Sequence, residues 1–145
     1  LFANEIVDYF RDMSIDLVIS PAVGGIVLGT EVGRQLNVQT IFTERESGVM
    51  TLRRGFEILA GNNVLVVEDV ITTGGSVQEV MNVAIKAGAN IVGVGVLVDR
   101  SAGSVKLHDN QFCVTELEVV SYGVVEVPEK LASIPILKPG SRSLK

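Results

Sequence analysis

Two acids followed by a run of hydroxyls and glycines, Glu68-Asp69-Val70-Ile71-Thr72-Thr73-Gly74-Gly75-Ser76, are the residues of this 145-residue chain best suited to chemistry. Consecutive small residues ahead of a helix let several backbone N–H groups point into one concavity, and the helix end adds positive potential. Thr72, Thr73 and Ser76 add hydroxyl donors, so this loop can cradle a phosphate without a lysine. Carboxylates accept hydrogen bonds from vicinal hydroxyls. Acids for a sugar diol a few residues from a phosphate cradle describe a ribose 5-phosphate site. The plainer alternative, a helix cap preceded by solvated acids, fits poorly with acids placed directly after four buried-type aliphatics, Val64 to Val67. A P-loop would require a lysine in the glycine loop, and a dinucleotide fingerprint would put GxGxxG directly after the strand. Neither pattern is here.

Two further loops follow strand-like runs. Pro21-Ala22-Val23-Gly24-Gly25 ends the run Asp16 to Ser20, and Asp99-Arg100 ends Ile91 to Val98. In an open parallel sheet, ligands bind beyond the carboxyl ends of strands near the point where strand order reverses. Three such loops in one sheet therefore converge on one site. A tight turn before a helix explains Gly24 and Gly25 plainly, and a simple ion pair with Asp99 would explain Arg100.

The spacing predicts the elements that must hold these loops. Leu1 to Met13 reads as a helix with Phe2, Ile6, Phe10 and Met13 three or four residues apart. Strand Asp16 to Ser20, helix Ile26 to Leu36 and a strand through Thr40, Ile41 and Phe42 follow. Residues 44–58 alternate charges with few apolar anchors and read as a mobile loop or hairpin arm. Strand Val64 to Val67 gives way to a loop from Val70, and Ser76 or a threonine is expected to cap the next helix, through Ile85. Strand Ile91 to Val98, a strand Phe112 to Val120 and a short helix with a tail over 128–145 complete the order. The fold class predicted is α/β, an open, mostly parallel twisted sheet flanked by helices, and 1–145 reads as a single domain.

Composition sets the outer limits. The chain has 12 Lys plus Arg against 17 Asp plus Glu, a formal charge of −5, which argues against nucleic-acid binding through a global field. Hydrophobic residues make up 47% and the mean hydropathy is +0.42. The apolar runs are short, whereas a membrane helix needs about 20 residues; no membrane partner is expected. One cysteine, Cys113, excludes a disulfide framework, and one histidine, His108, excludes a catalytic histidine pair. Both read as structural, Cys113 as core filling and His108 as a surface or satisfied group.

Val64 to Ser76 resembles the 5-phosphoribosyl 1-diphosphate (PRPP) motif of type I phosphoribosyltransferases. Within that family the chain looks like the orotate-using branch. Phe42-Thr43-Glu44-Arg45-Glu46, Leu52 to Glu57, Val98-Asp99-Arg100-Ser101 and Lys138 to Arg142 carry the likeness, which covers nearly the whole chain. The resemblance implies that Glu68 and Asp69 hold the ribose hydroxyls and Thr72 to Ser76 the 5-phosphate, with Val70 and Ile71 inside the PRPP motif. It implies a pyrophosphate loop at Ala22, Val23, Gly24 and Gly25, where missing side chains let backbone amides approach the ligand. It also implies orotate contacts from Thr72 and from Arg100, whose planar fork suits a carboxylate or ring carbonyl. It implies Mg²⁺ carried by PRPP and water near Glu68 and Asp69, with no direct protein ligand. A homodimer and a cytoplasmic location come with the family. So does an N-terminal hood segment lying ahead of the position of Leu1. The family's mobile loop commonly brings lysines and a histidine to pyrophosphate. This chain offers Arg45, with Arg53 and Arg54 as possible substitutes. The function so implied is Mg-dependent transfer of ribose 5-phosphate from PRPP to orotate. The alternatives are a purine phosphoribosyltransferase or a non-catalytic PRPP-binding regulator.

Overall fold

The computed structural model describes residues 1–120, 122, 123 and 125–135. The elements are α1 (Phe2–Phe10), β1 (Leu17–Pro21), α2 (Gly25–Leu36), β2 (Gln39–Glu46), β3 (Val49–Leu52), β4 (Asn63–Ile71), α3 (Gly75–Lys86), β5 (Asn90–Asp99), β6 (Gln111–Glu116) and α4 (Glu129–Ala132). Six strands form one sheet in the order β3-β2-β1-β4-β5-β6. Every neighbouring pair is parallel except β2 and β3, which form an antiparallel hairpin.

Strand alternation explains the valine-rich runs. Leu17, Ile19, Val64 and Val66 join Val77, Val80, Met81 and Ala84 of α3 in one core. Val18, Leu65 and Val67 point the other way and join Ala3, Ile6, Val7 and Phe10 of α1 with Val32 of α2. Both faces of β1 and β4 are thus covered, so neither strand has a polar face. The glycines that interrupt the Ile91 to Val98 run have a packing reason. A Cβ on Gly93 would stand 2.3 Å from the Phe10 ring, and one on Gly95 2.7 Å from Ile6. Helix α1 lies directly on these bare positions of β5.

Several boundaries differ from the sequence expectation. Helix α1 stops at Phe10, short of Met13, and leaves Phe2 exposed. Strand β2 continues through polar Thr43–Glu46, because pairing with β3 satisfies its backbone in spite of the charged side chains. Residues 44–58 accordingly contain the end of β2, the turn at Ser47-Gly48, β3 and an irregular segment. Strand β6 ends at Glu116 rather than Val120. The expected tail includes α4, while the matching Lys138 to Arg142 lies outside the described residues.

Candidate functional site

Strand order reverses between β1, followed outward by β2, and β4, followed outward by β5. At this switch point a cleft of about 400 Å³ opens, where ligands of open α/β sheets bind. Pro21, Ala22, Val23 and Gly24 form one wall; Glu68, Asp69, Ser76, Glu44, Arg45 and Met50 complete it. A smaller concavity beside Ser76 is lined by Val70 and Thr72 through Val77.

The turn into α2 is pressed against the two acids. A Cβ on Gly24 would lie 2.2 Å from Asp69 Oδ2, and one on Gly25 3.1 Å from Glu68 Oε1. Adjacent strand residues normally address opposite faces, yet both acids meet this turn, which Gly24 and Gly25 press against Asp69 and Glu68. The Ala22 N–H donates to the Thr43 carbonyl at 2.8 Å, tying the turn to β2. The Ala22–Val23 peptide is cis.

Both helices that start at the cleft start at glycine. Helix α2 follows Gly24 and α3 follows Gly74, and neither first turn receives a side-chain cap. The opening N–H groups of a helix have no partner within it, so two sets of donors converge here with the helix dipoles behind them. The expectation that Ser76 or a threonine caps α3 is therefore corrected. Gly74 occupies the cap in a left-handed conformation, φ 75°, which places the threonines outside the helix. Val105 and Leu107 of the β5–β6 connection pack over Gly74, each within 2.9 Å of where a Cβ would stand.

Two members of the expected loop are corrected as well. Val70 and Ile71 belong to β4, which runs on to Ile71. The Ile71 side chain is buried in the core, and only its backbone faces the loops, its carbonyl accepting the Arg100 N–H at 2.9 Å. The reason is local. Val70 and Ile71 are aliphatic and pair with Val98 and Asp99, so the ladder continues past the acids.

Glu68 is only 6% exposed. Burial, reinforced by the neighbouring Asp69 carboxylate, pushes its acid up to about 9. Glu68 therefore keeps its proton at neutral pH, and its Oε1 accepts the Asp69 N–H at 3.0 Å. Asp69 is half-buried and borders the open cleft.

The arginines divide sharply. Arg45 lines the cleft and pairs with Glu79 of α3. Arg54 forms a two-point pair with Glu44, 2.8 and 2.9 Å, and lies over the Phe42 ring. Arg53 pairs with Glu46 at 3.5 Å. Arg53 and Arg54 are absent from the cleft lining, so the structure does not bring them to the site in this arrangement. Arg100 is exposed beyond β5 and makes no ion pair among the described residues. The Asp99 carboxylate turns instead to the Ser101 and Gly103 N–H groups, at 2.7 and 3.2 Å. His108 Nδ1 accepts the Asn110 N–H at 3.0 Å, and Cys113 packs half-buried beside the α3-side core, its thiol pushed up by burial.

Glu79 escaped the sequence reading, whereas Asp99, read as a partner for Arg100, instead binds the loop that follows it. Glu79 sits three residues after Ser76, one helical turn further along the same face. That spacing was the available signal.

No three His, Cys, Asp or Glu side chains among the described residues are grouped to hold a metal ion. Two adjacent carboxyls beside an anion cradle fit a cation that arrives on phosphate oxygens and keeps its water.

Residues 2–130 match the phosphoribosyl transferase domain family, and the chain belongs to that family. Over 140 residues, 97% of this chain and 72% of the relative, it is 60% identical to the orotate phosphoribosyltransferase of Chlorobaculum parvum. It is 56% identical, with the same coverage, to the orotate phosphoribosyltransferase of Chlorobium phaeobacteroides. The fold is shared with the adenine phosphoribosyltransferase of Rhodothermus marinus, at a TM-score of 0.70 and 18% identity over 80% of this chain and 77% of that one.

Proposed function

We propose that this chain transfers ribose 5-phosphate from PRPP to orotate, releasing pyrophosphate and forming orotidine 5-phosphate in pyrimidine biosynthesis. The carrying observation is the convergence of two uncapped, glycine-started helices on one cleft, with Asp69 between them. Identity of 56–60% to enzymes named for orotate selects the base. The likeness to adenine enzymes, at 18% identity, supports the fold alone.

Each part of the chain has a defined task in this reading. The α3 start, Thr72 to Ser76, receives the 5-phosphate. The α2 start, Ala22 to Gly25, receives the diphosphate, with Arg45 at the rim. Asp69 accepts from a ribose hydroxyl; Glu68, protonated, shares that neighbourhood without adding a second negative charge. Arg100 and Thr72 meet the base. Departure of pyrophosphate leaves positive charge on the ribosyl ring, which the Asp69 carboxylate stabilises, so no protein nucleophile is needed. Glu68 and Asp69 would lie near, through water, any Mg²⁺ carried by PRPP, and that ion would supply charge neutralisation for the leaving diphosphate. Residues 1–145 act as one core, the arm 44–58 flanking the cleft and the tail beginning near 128. A homodimer in the cytoplasm fits this function. Among the described residues no helix is long and apolar enough to cross a membrane.

Incubation with PRPP and Mg²⁺ tests the reading. Orotate absorbance should fall, adenine should not be consumed, and Asp69→Asn should reduce turnover while unfolding at the same denaturant concentration. Consumption of adenine in place of orotate would overturn the choice of base. Tight PRPP binding without turnover of any base would indicate a regulator.

A further inference from the structure

We infer that Glu79 is a positioning residue for the diphosphate half of the donor, acting by fixing Arg45 at the cleft rim. This rests on the reading that the cleft takes PRPP. Arg45 lines the cleft from β2, and two of its N–H donors are already hydrogen-bonded. Nη1 donates to the Gly48 carbonyl at 3.0 Å and to Glu79 Oε1 at 3.2 Å, and Nη2 pairs with Glu79 Oε2. A guanidinium has five donors, so the three on Nε and Nη2 remain for diphosphate oxygens.

Arg53 and Arg54 pair with acids of their own arm, Glu46 and Glu44. Arg45 differs: its partner belongs to α3, three residues beyond Ser76 of the phosphate loop. The pair therefore joins the arm to the helix that opens the cleft. Its side chains are 39% and 41% exposed, and pairs this exposed add little to stability. The consequence falls on order. A long arginine side chain loses rotamer freedom when a ligand captures it, and Glu79 has already removed much of that freedom. Glu79 does not line the cleft itself, so its influence on ligand passes through Arg45.

The test is a double-mutant cycle read by calorimetry with PRPP plus Mg²⁺ and with inorganic pyrophosphate, alongside steady-state kinetics. Glu79→Gln should weaken both ligands roughly three- to tenfold, with the orotate KM and the thermal midpoint unmoved. Arg45→Ala should weaken them at least as much, and Arg45→Ala/Glu79→Gln should bind like Arg45→Ala alone. Additive losses would overturn the inference, because Glu79 would then act independently of Arg45. Unchanged or tighter binding in Glu79→Gln would overturn it too, the latter showing that the carboxylate competes with ligand for the guanidinium. A wild-type chain that binds neither ligand would refute the reading of the cleft, and with it this role.

Discussion

Replacing Gly24 by alanine adds one methyl group where the structure has no room for it. Its carbon would stand 2.2 Å from Asp69 Oδ2, 2.6 Å from Cγ and 2.7 Å from Oδ1. All three lie inside van der Waals contact, so the carboxylate must rotate away. Little else opposes the change. Gly24 has φ −60° and ψ −48°, a right-handed conformation open to alanine, and at a helix N-cap alanine is disfavoured against glycine by roughly 1 kcal/mol or less. Asp69 borders solvent and has space to move into. Stability should therefore stay within about 1 kcal/mol of the wild type. Ligand binding should not. A hydrogen bond to a charged group contributes about 1.5–3 kcal/mol, so losing one from the ribose diol should raise the Kd for PRPP by roughly 10- to 150-fold. Calorimetric titration with PRPP and Mg²⁺, paired with urea unfolding, separates the two effects. Wild-type affinity in a normally folded Gly24→Ala protein would refute the claim that Asp69, where it stands, holds the sugar.

Glu68 makes stability pH-dependent in a predictable sense. Its folded value near 9 lies above that of an unfolded glutamate. Its contribution is complete below about pH 4.5 and is lost as pH rises toward 9, at up to about 1.4 kcal/mol per pH unit. Glu68→Gln should therefore gain on the wild type by a few kcal/mol, to order of magnitude, between pH 5 and pH 8 in urea unfolding; parallel behaviour of the two proteins would refute the buried-proton account. Arg100→Ala should raise the orotate KM roughly tenfold or more while leaving PRPP affinity intact, and loss of both would remove its assigned role. Gly74→Ala meets φ 75° and two side chains at 2.9 Å, so it should cost about 1–3 kcal/mol in thermal unfolding. An unchanged midpoint would show that Val105 and Leu107 yield without penalty.

Much of this architecture was legible because strand and helix periods leave a direct trace. Val64 to Val67 and Ile91 to Val98 read as buried strands since both sheet faces are covered. The loop TTGGS reads as an anion cradle since small residues before a helix expose its donors, and the structure places it and PAVGG at helix starts. What was not legible depended on partners distant in sequence. Glu44 to Glu46 read equally as mobile loop or hairpin arm, and only pairing with β3 decides for the hairpin. Val70 and Ile71 looked like loop because the acids before them suggested an ending, while Val98 and Asp99 continued the ladder. Arg53 and Arg54 looked available because their acidic partners, Glu46 and Glu44, are brought to them only by the hairpin. The elevated proton affinity of Glu68 follows from burial beneath the α2 turn, which no local pattern records.

The seat of α1 on Gly93 and Gly95 bears on the order of folding. Phe10 and its bare position on β5 are separated by about eighty residues, and contacts so far apart in the chain pay their loop-closure entropy before they return any packing. During synthesis α1 emerges with its apolar stripe uncovered, and its notch exists only after β4 and β5 have paired. A helix made before the sheet it needs is thus among the last elements to dock. Until then Ile6 and Phe10 are the surface through which a nascent chain would meet a chaperone or another copy of itself.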